Sequence, residues 1–134
     1  MKGWVRFTVP GKPAPKGSTR SFVSRTTGRV VTITDSVRLR DWTKQVAVAA
    51  RAHKVTKAPK GASVALNVRF IRRRPSGKRL RYPTTRPDID KLMRALLDAL
   101  TGVAYDDDAQ VCLVMADKAW GDEDGTAISI RWEA

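Results

Sequence analysis

Ile89, Leu92, Met93, Leu96 and Leu100 recur at i, i+3, i+4, i+7 and i+11. This is the spacing of one face of an α-helix. Pro87 precedes the run, Asp88 stands at the N-cap, and Gly102 stands where a left-handed residue ends a helix. A helix with one apolar stripe must bury it against another layer. That layer is predicted to be a sheet. Val64, Leu66, Val68 and Phe70 alternate with Ala65, Asn67 and Arg69, as in a strand with one buried face. Trp4 to Val9 and Thr126 to Trp132 alternate in the same way. Phe22-Val23 and residues 29–34 form a predicted hairpin around Thr27-Gly28. Val111 to Met115 is apolar on both faces, which predicts a central strand. A second helix is expected from a cap at Asp35 or Ser36 to about His53, with Leu39, Trp42, Val46 and Ala49 or Ala50 on its inner face.

The resulting order is β, β, β, α, β, α, β, β. It predicts one small α/β (α+β) domain over residues 1–134, with a mixed sheet and two main helices. Trp4, Trp42, Trp120 and Trp132 fall on these patterns and are expected in the core. Cys112 is expected to be a buried thiol, and His53 to end the first helix.

Charge is distributed unevenly. Residues 1–86 carry 22 Lys and Arg against 2 acidic residues, whereas residues 87–134 carry 4 against 11. A basic body favours a polyanionic partner, most simply nucleic acid. The single cysteine forms no intrachain disulfide and fits a reducing compartment. The first residues lack the apolar core of a secretory signal, and no run reaches the roughly 20 apolar residues of a membrane helix. These features predict a cytoplasmic protein with no membrane partner.

Six aspartates lie within residues 86–111: Asp88, Asp90, Asp98, Asp106, Asp107 and Asp108. Each has an ordinary explanation. Asp88 can cap the helix, Asp90, Arg94 and Asp98 can form an exposed ion-pair ladder, and Asp106 to Asp108 can make a turn. Taken together they admit another reading. Asp88 and Asp90 share a first helical turn, and the short return to Asp108 is expected to bring that residue near the same helix. Converging carboxylates repel unless a cation lies between them. All-oxygen donors favour Mg²⁺, with Mn²⁺ as the alternative. One histidine and one cysteine leave no basis for a zinc site. A basic body beside such a site points to phosphodiester hydrolysis. No GxxxxGK[ST] loop is present, so no nucleotide cofactor is expected.

The stretch RPDIDKLMRALLDALTGVAYDDDAQV resembles the signature of the RusA family of Holliday junction resolvases. The matching residues are Asp88 and Asp90 at a helix start, a basic residue one turn on, Asp98-Ala99-Leu100, Gly102, and Asp107-Asp108-Ala109-Gln110-Val111. The resemblance implies a RusA-like fold. It also implies a Mg²⁺-dependent endodeoxyribonuclease acting as a homodimer on four-way DNA, in recombination and repair, in phages and prophages. It makes Asp88, Asp90 and Asp108 the metal ligands and Asp107 an auxiliary. Two positions depart from the family. Lys91 stands where Asn is usual, and Arg94 where Lys is usual. Arg94 keeps its charge, so it can clamp phosphate but cannot exchange a proton. Lys91 is the alternative basic residue.

Arg72, Arg73, Arg74, Lys78, Arg79, Arg81 and Arg86 flank the acidic segment and are the expected DNA contacts, followed by Lys12, Lys16 and Arg20. Tyr82 either packs on its loop's prolines or stacks on an unpaired base. Two further functions fit the same residues: a metal nuclease for forks or flaps, and a basic nucleic-acid-binding protein without activity.

Overall fold

In the structure, a computed structural model, residues 3–17, 19–34, 36–77 and 80–134 are described, the side chains of 19–21, 31–34 and 36 excepted. Lys78, Arg79, the expected cap Asp35 and the side chains of Arg20 and the alternative cap Ser36 therefore lie outside what is described. The elements follow the predicted order: β1 (Val5–Pro10), β2 (Thr19–Val23), β3 (Val30–Thr34), α1 (Ser36–Ala52), β4 (Ser63–Arg73), α2 (Ile89–Leu100), β5 (Val111–Gly121) and β6 (Gly125–Glu133).

Four strands make a mixed sheet in the order β1-β6-β4-β5. β6 is antiparallel to both β1 and β4, while β4 and β5 are parallel. Val64, Leu66, Val68 and Phe70 of β4 bury one face together with Phe7, Val9, Ile128 and Ile130. Both helices supply the other half of this core, through Trp42 and Val46 of α1 and Leu92, Leu96 and Leu100 of α2. Each fully buried leucine is worth about 2 kcal/mol, enough to hold α2 in place despite its 12-residue length. α2 ends as its sequence predicts. Gly102 has φ +84°, and its amide donates to the Tyr105 carbonyl at 2.7 Å.

β5 is not a central strand. It is the last strand of the sheet, and Leu113, Val114 and Met115 are 50%, 42% and 62% exposed. Cys112 is also exposed rather than buried. An apolar run predicts burial, but it does not set the strand's place in the sheet. Trp42 is in the core as expected, but Trp4 is exposed and borders a groove with Cys112, Leu113 and Arg131. Trp132 packs at the margin of the core, and Trp120 lies beneath the guanidinium groups of Arg72 and Arg74. His53 closes α1, its Nδ1 2.9 Å from the Ala49 carbonyl and its ring stacked on Phe7. No helix is long and apolar enough to cross a membrane among the described residues.

Candidate active site

The loop leading to Asp88 is fixed by side chains from two strands. Lys118 of β5 donates to the carbonyls of Thr85 and Pro87 at 2.9 and 3.1 Å. Arg72 of β4 donates to the Thr85 hydroxyl and the Arg86 carbonyl, both at 3.0 Å. Trp120 donates its indole N–H to the Leu80 carbonyl at 3.0 Å. Each proline removes one backbone donor from the loop, and these long side chains supply donors to its carbonyls.

Asp88 has the backbone of an N-cap, but its side chain makes no capping hydrogen bond. Its carboxylate is 3.7 Å from the Lys91 ammonium, a loose contact. Asp90 is exposed in the first turn and makes no hydrogen bond or ion pair among the described residues. Arg94, one turn on, is likewise exposed and pairs with neither Asp90 nor Asp98. The ion-pair ladder is not formed, and Asp98 is paired elsewhere. Lys16 donates its backbone amide to the Lys91 carbonyl at 3.0 Å and reaches along α2 to the Asp98 carboxylate.

The three consecutive aspartates divide into separate roles. Asp106 pairs with Lys57. Asp107 caps the short 3-10 turn Asp108–Gln110, accepting from the Ala109 amide at 2.9 Å. Gln110 completes the cap by accepting from the Asp106 and Asp107 amides, both at 3.2 Å. Its amide nitrogen donates to the Pro59 and Ala62 carbonyls at 3.0 and 3.1 Å. Asp108 is exposed and makes no hydrogen bond or ion pair among the described residues. It lies near Tyr105, a fully buried phenol that donates to the Leu97 carbonyl at 2.7 Å. Burial pushes the Tyr105 pKa well above the usual tyrosine value, and the negative charge of Asp108 adds to the rise.

This neighbourhood places Asp108 at the C-terminal end of α2, whereas Asp88 and Asp90 lie at its N-terminal end. Twelve residues at 1.5 Å each put the two ends about 18 Å apart. The expected convergence of the three carboxylates on one chain is therefore not found. No three His, Cys, Asp or Glu side chains group as a metal site among the described residues. The short return from α2 brings the chain back to the end of the helix it has just left, and β5 then runs back along α2 toward Lys118.

The expected DNA contacts differ in how they are used. Arg73, Arg81 and Arg86 are exposed, and Arg81 lies over the ring of the exposed Tyr82. Arg72 is half-buried in the loop anchor, and Arg74 lies over Trp120. Lys12 borders a crevice with Pro87, Leu92 and Lys118, close to Asp88.

A family model described as "Endodeoxyribonuclease RusA" matches residues 10–131. The chain belongs to that family. It is also 28% identical to the uncharacterized protein YqaN of Bacillus subtilis (strain 168), over 95% of this chain and 95% of that protein. The RusA-family match spans β2, β3, both helices, β4, β5 and β6 as far as Arg131, but only the last residue of β1. Two residues of this RusA-family chain were not singled out from the sequence. Gln110 belongs to the quoted motif, yet its partners at Pro59 and Ala62 lie some fifty residues away. Lys118 is one of only 4 basic residues after residue 86, and that isolation was the available signal.

Proposed function

We propose that this RusA-family protein is a divalent-metal-dependent endonuclease that nicks four-way DNA junctions as a homodimer. Each site draws Asp88 and Asp90 from one subunit and Asp108 from the other. The observation that carries this reading is which carboxylates remain unengaged. Asp98, Asp106 and Asp107 hold the fold together, while among the described residues Asp90 and Asp108 have no partner and Asp88 has only a loose one. Asp88 stands at an N-cap without capping, which leaves its carboxylate open to a cation.

The exposed edge of β5 supports the dimer. Its apolar residues Leu113, Val114 and Met115 are centred on Val114. Antiparallel pairing of two β5 strands about a two-fold axis at Val114 sets residue 108 of one subunit opposite residue 120 of the other. That is the end of β5 where Lys118 holds Pro87 and hence Asp88. The same pairing covers the apolar edge and makes one continuous sheet. Two-fold related sites also suit symmetric nicking of a four-armed substrate.

The donor set is all oxygen and solvent-accessible, which fits Mg²⁺ or Mn²⁺. Bound there, the cation would acidify a water and offset charge on the scissile phosphate. Arg94, one turn from Asp90 and unpaired with it, clamps phosphate oxygens through its fixed fork of donors. Lys91 remains beside Asp88 and tempers its charge.

Cleavage of four-way, forked and linear DNA with Mg²⁺ tests the proposal. Junctions are expected to be cut first, and Asp90→Asn to lose cleavage while retaining junction binding. Equal cutting of linear duplex would refute junction selectivity, and cleavage unaffected by Asp90→Asn would refute the site.

A further inference from the structure

β2 and β3 form a two-stranded ribbon separate from the main sheet, paired from Thr19↔Thr34 to Val23↔Val30. Its turn is well organised. The Ser24 amide donates to the Arg29 carbonyl at 2.8 Å, and the Gly28 amide to the Ser24 carbonyl at 2.9 Å. Gly28 has φ +69°, which suits a residue without a Cβ. Around this tip Phe22, Val23 and Val30 are 45%, 63% and 70% exposed, and Arg25 and Arg29 are exposed beside them. An isolated two-stranded ribbon is marginal in water, and bare apolar residues at its tip make it more so. Its surroundings are of one sign. Residues 1–34 hold 7 Lys and Arg and no acidic residue.

A two-stranded ribbon has the width that the DNA major groove admits. Arginine and small apolar side chains are what that groove accepts, the former on guanine edges and phosphates, the latter on thymine methyls. The base of the ribbon fixes its relation to the site. Lys16, three residues before β2, is hydrogen-bonded to the Lys91 carbonyl in the first turn of α2, next to Asp90. Five residues of strand set the tip about 17 Å from that base, the length of about five base pairs of duplex.

We propose that the β2–β3 ribbon is a second DNA contact, seated in the major groove of a junction arm about five base pairs from the phosphate at Asp88 and Asp90. Arg25 and Arg29 engage the backbone and base edges, and Val23 and Val30 lie against the groove floor. The distance rests on the nuclease reading, whereas the ribbon's affinity for duplex does not.

The test uses the full chain carrying Asp90→Asn, so that bound junctions stay intact. Adding Arg25→Ala and Arg29→Ala is expected to reduce the slope of log affinity against log salt by about two per subunit, about four for a dimer that seats both ribbons. Hydroxyl-radical protection about five base pairs from the phosphate at Asp88 and Asp90 should disappear with it. Arg25→Lys with Arg29→Lys should restore the slope, and an unchanged thermal midpoint for both pairs shows that folding is intact. An unchanged slope and footprint in the alanine pair would overturn the proposal. So would loss of the dimer with DNA binding intact, which would make the ribbon a contact to a second copy. If the unmodified protein cuts no DNA with Mg²⁺, the nuclease reading fails separately, because slope and footprint are read without cleavage.

Discussion

Replacing Gln110 by Ala removes four hydrogen bonds at once: two accepted from the Asp106 and Asp107 amides and two donated to the Pro59 and Ala62 carbonyls. At about 0.5–1.5 kcal/mol each, with solvent recovering part of the loss at this half-exposed side chain, the net cost is about 2 kcal/mol. For a chain of this size that lowers the melting temperature by about 8 °C. The same change releases the turn that presents Asp108, so cleavage should fall by more than the unfolded fraction explains at a temperature where the variant is folded. Gln110→Glu sharpens the test. It is nearly isosteric and keeps both accepting bonds, but it sets a carboxylate against two carbonyl oxygens and beside three aspartates. It should destabilise at least as much as Ala. Differential scanning calorimetry and single-turnover cleavage at 25 °C read the two effects. An unchanged melting temperature with unchanged cleavage in both variants would refute the role assigned to Gln110.

Three further outcomes follow from the same contacts. Lys118→Met leaves the Thr85 and Pro87 carbonyls without their donor and should raise the Mg²⁺ needed for half-maximal cleavage about tenfold, as measured by metal titration. Tyr105, protonated in the fold above its ordinary pKa, withdraws stability as pH rises past about 10, where the unfolded chain ionises first. Asp108→Asn should move its absorbance titration back toward the ordinary value, and Asp107→Asn should leave it in place. Met115→Lys at the exposed β5 edge should leave a folded monomer with no cleavage, read by sedimentation and nicking assays.

Short-range signals were legible in the sequence. The apolar period of α2, the alternation of β4 and the glycine at its helix end all depend on neighbours a few residues apart, and all appear as predicted. The aspartates stand out in the sequence by type and spacing, but which of them the fold engages does not. What the sequence could not convey depends on the third dimension. The run from Val111 to Met115 is apolar whether the chain's own layers or another copy cover it, so β5 was misplaced at the centre of the sheet. Asp108 follows a helix closely in sequence, yet a 12-residue helix separates its ends by more than any metal site spans. Gln110, Lys118 and Arg72 act across 13 to 51 residues, so their partners are not readable from their neighbours in sequence.

The most direct test of the shared site mixes two inactive proteins. Asp90→Asn and Asp108→Asn should each abolish cleavage alone. Refolded together, half the dimers are mixed, and each mixed dimer holds one complete site, with Asp88 and Asp90 from one subunit and Asp108 from the other. Nicking should return to about a quarter of the wild-type level, on one strand of the junction at a time. If the mixture stays inactive while mixed dimers demonstrably form, each site is built within a single chain and the account given for β5 and Asp108 is wrong.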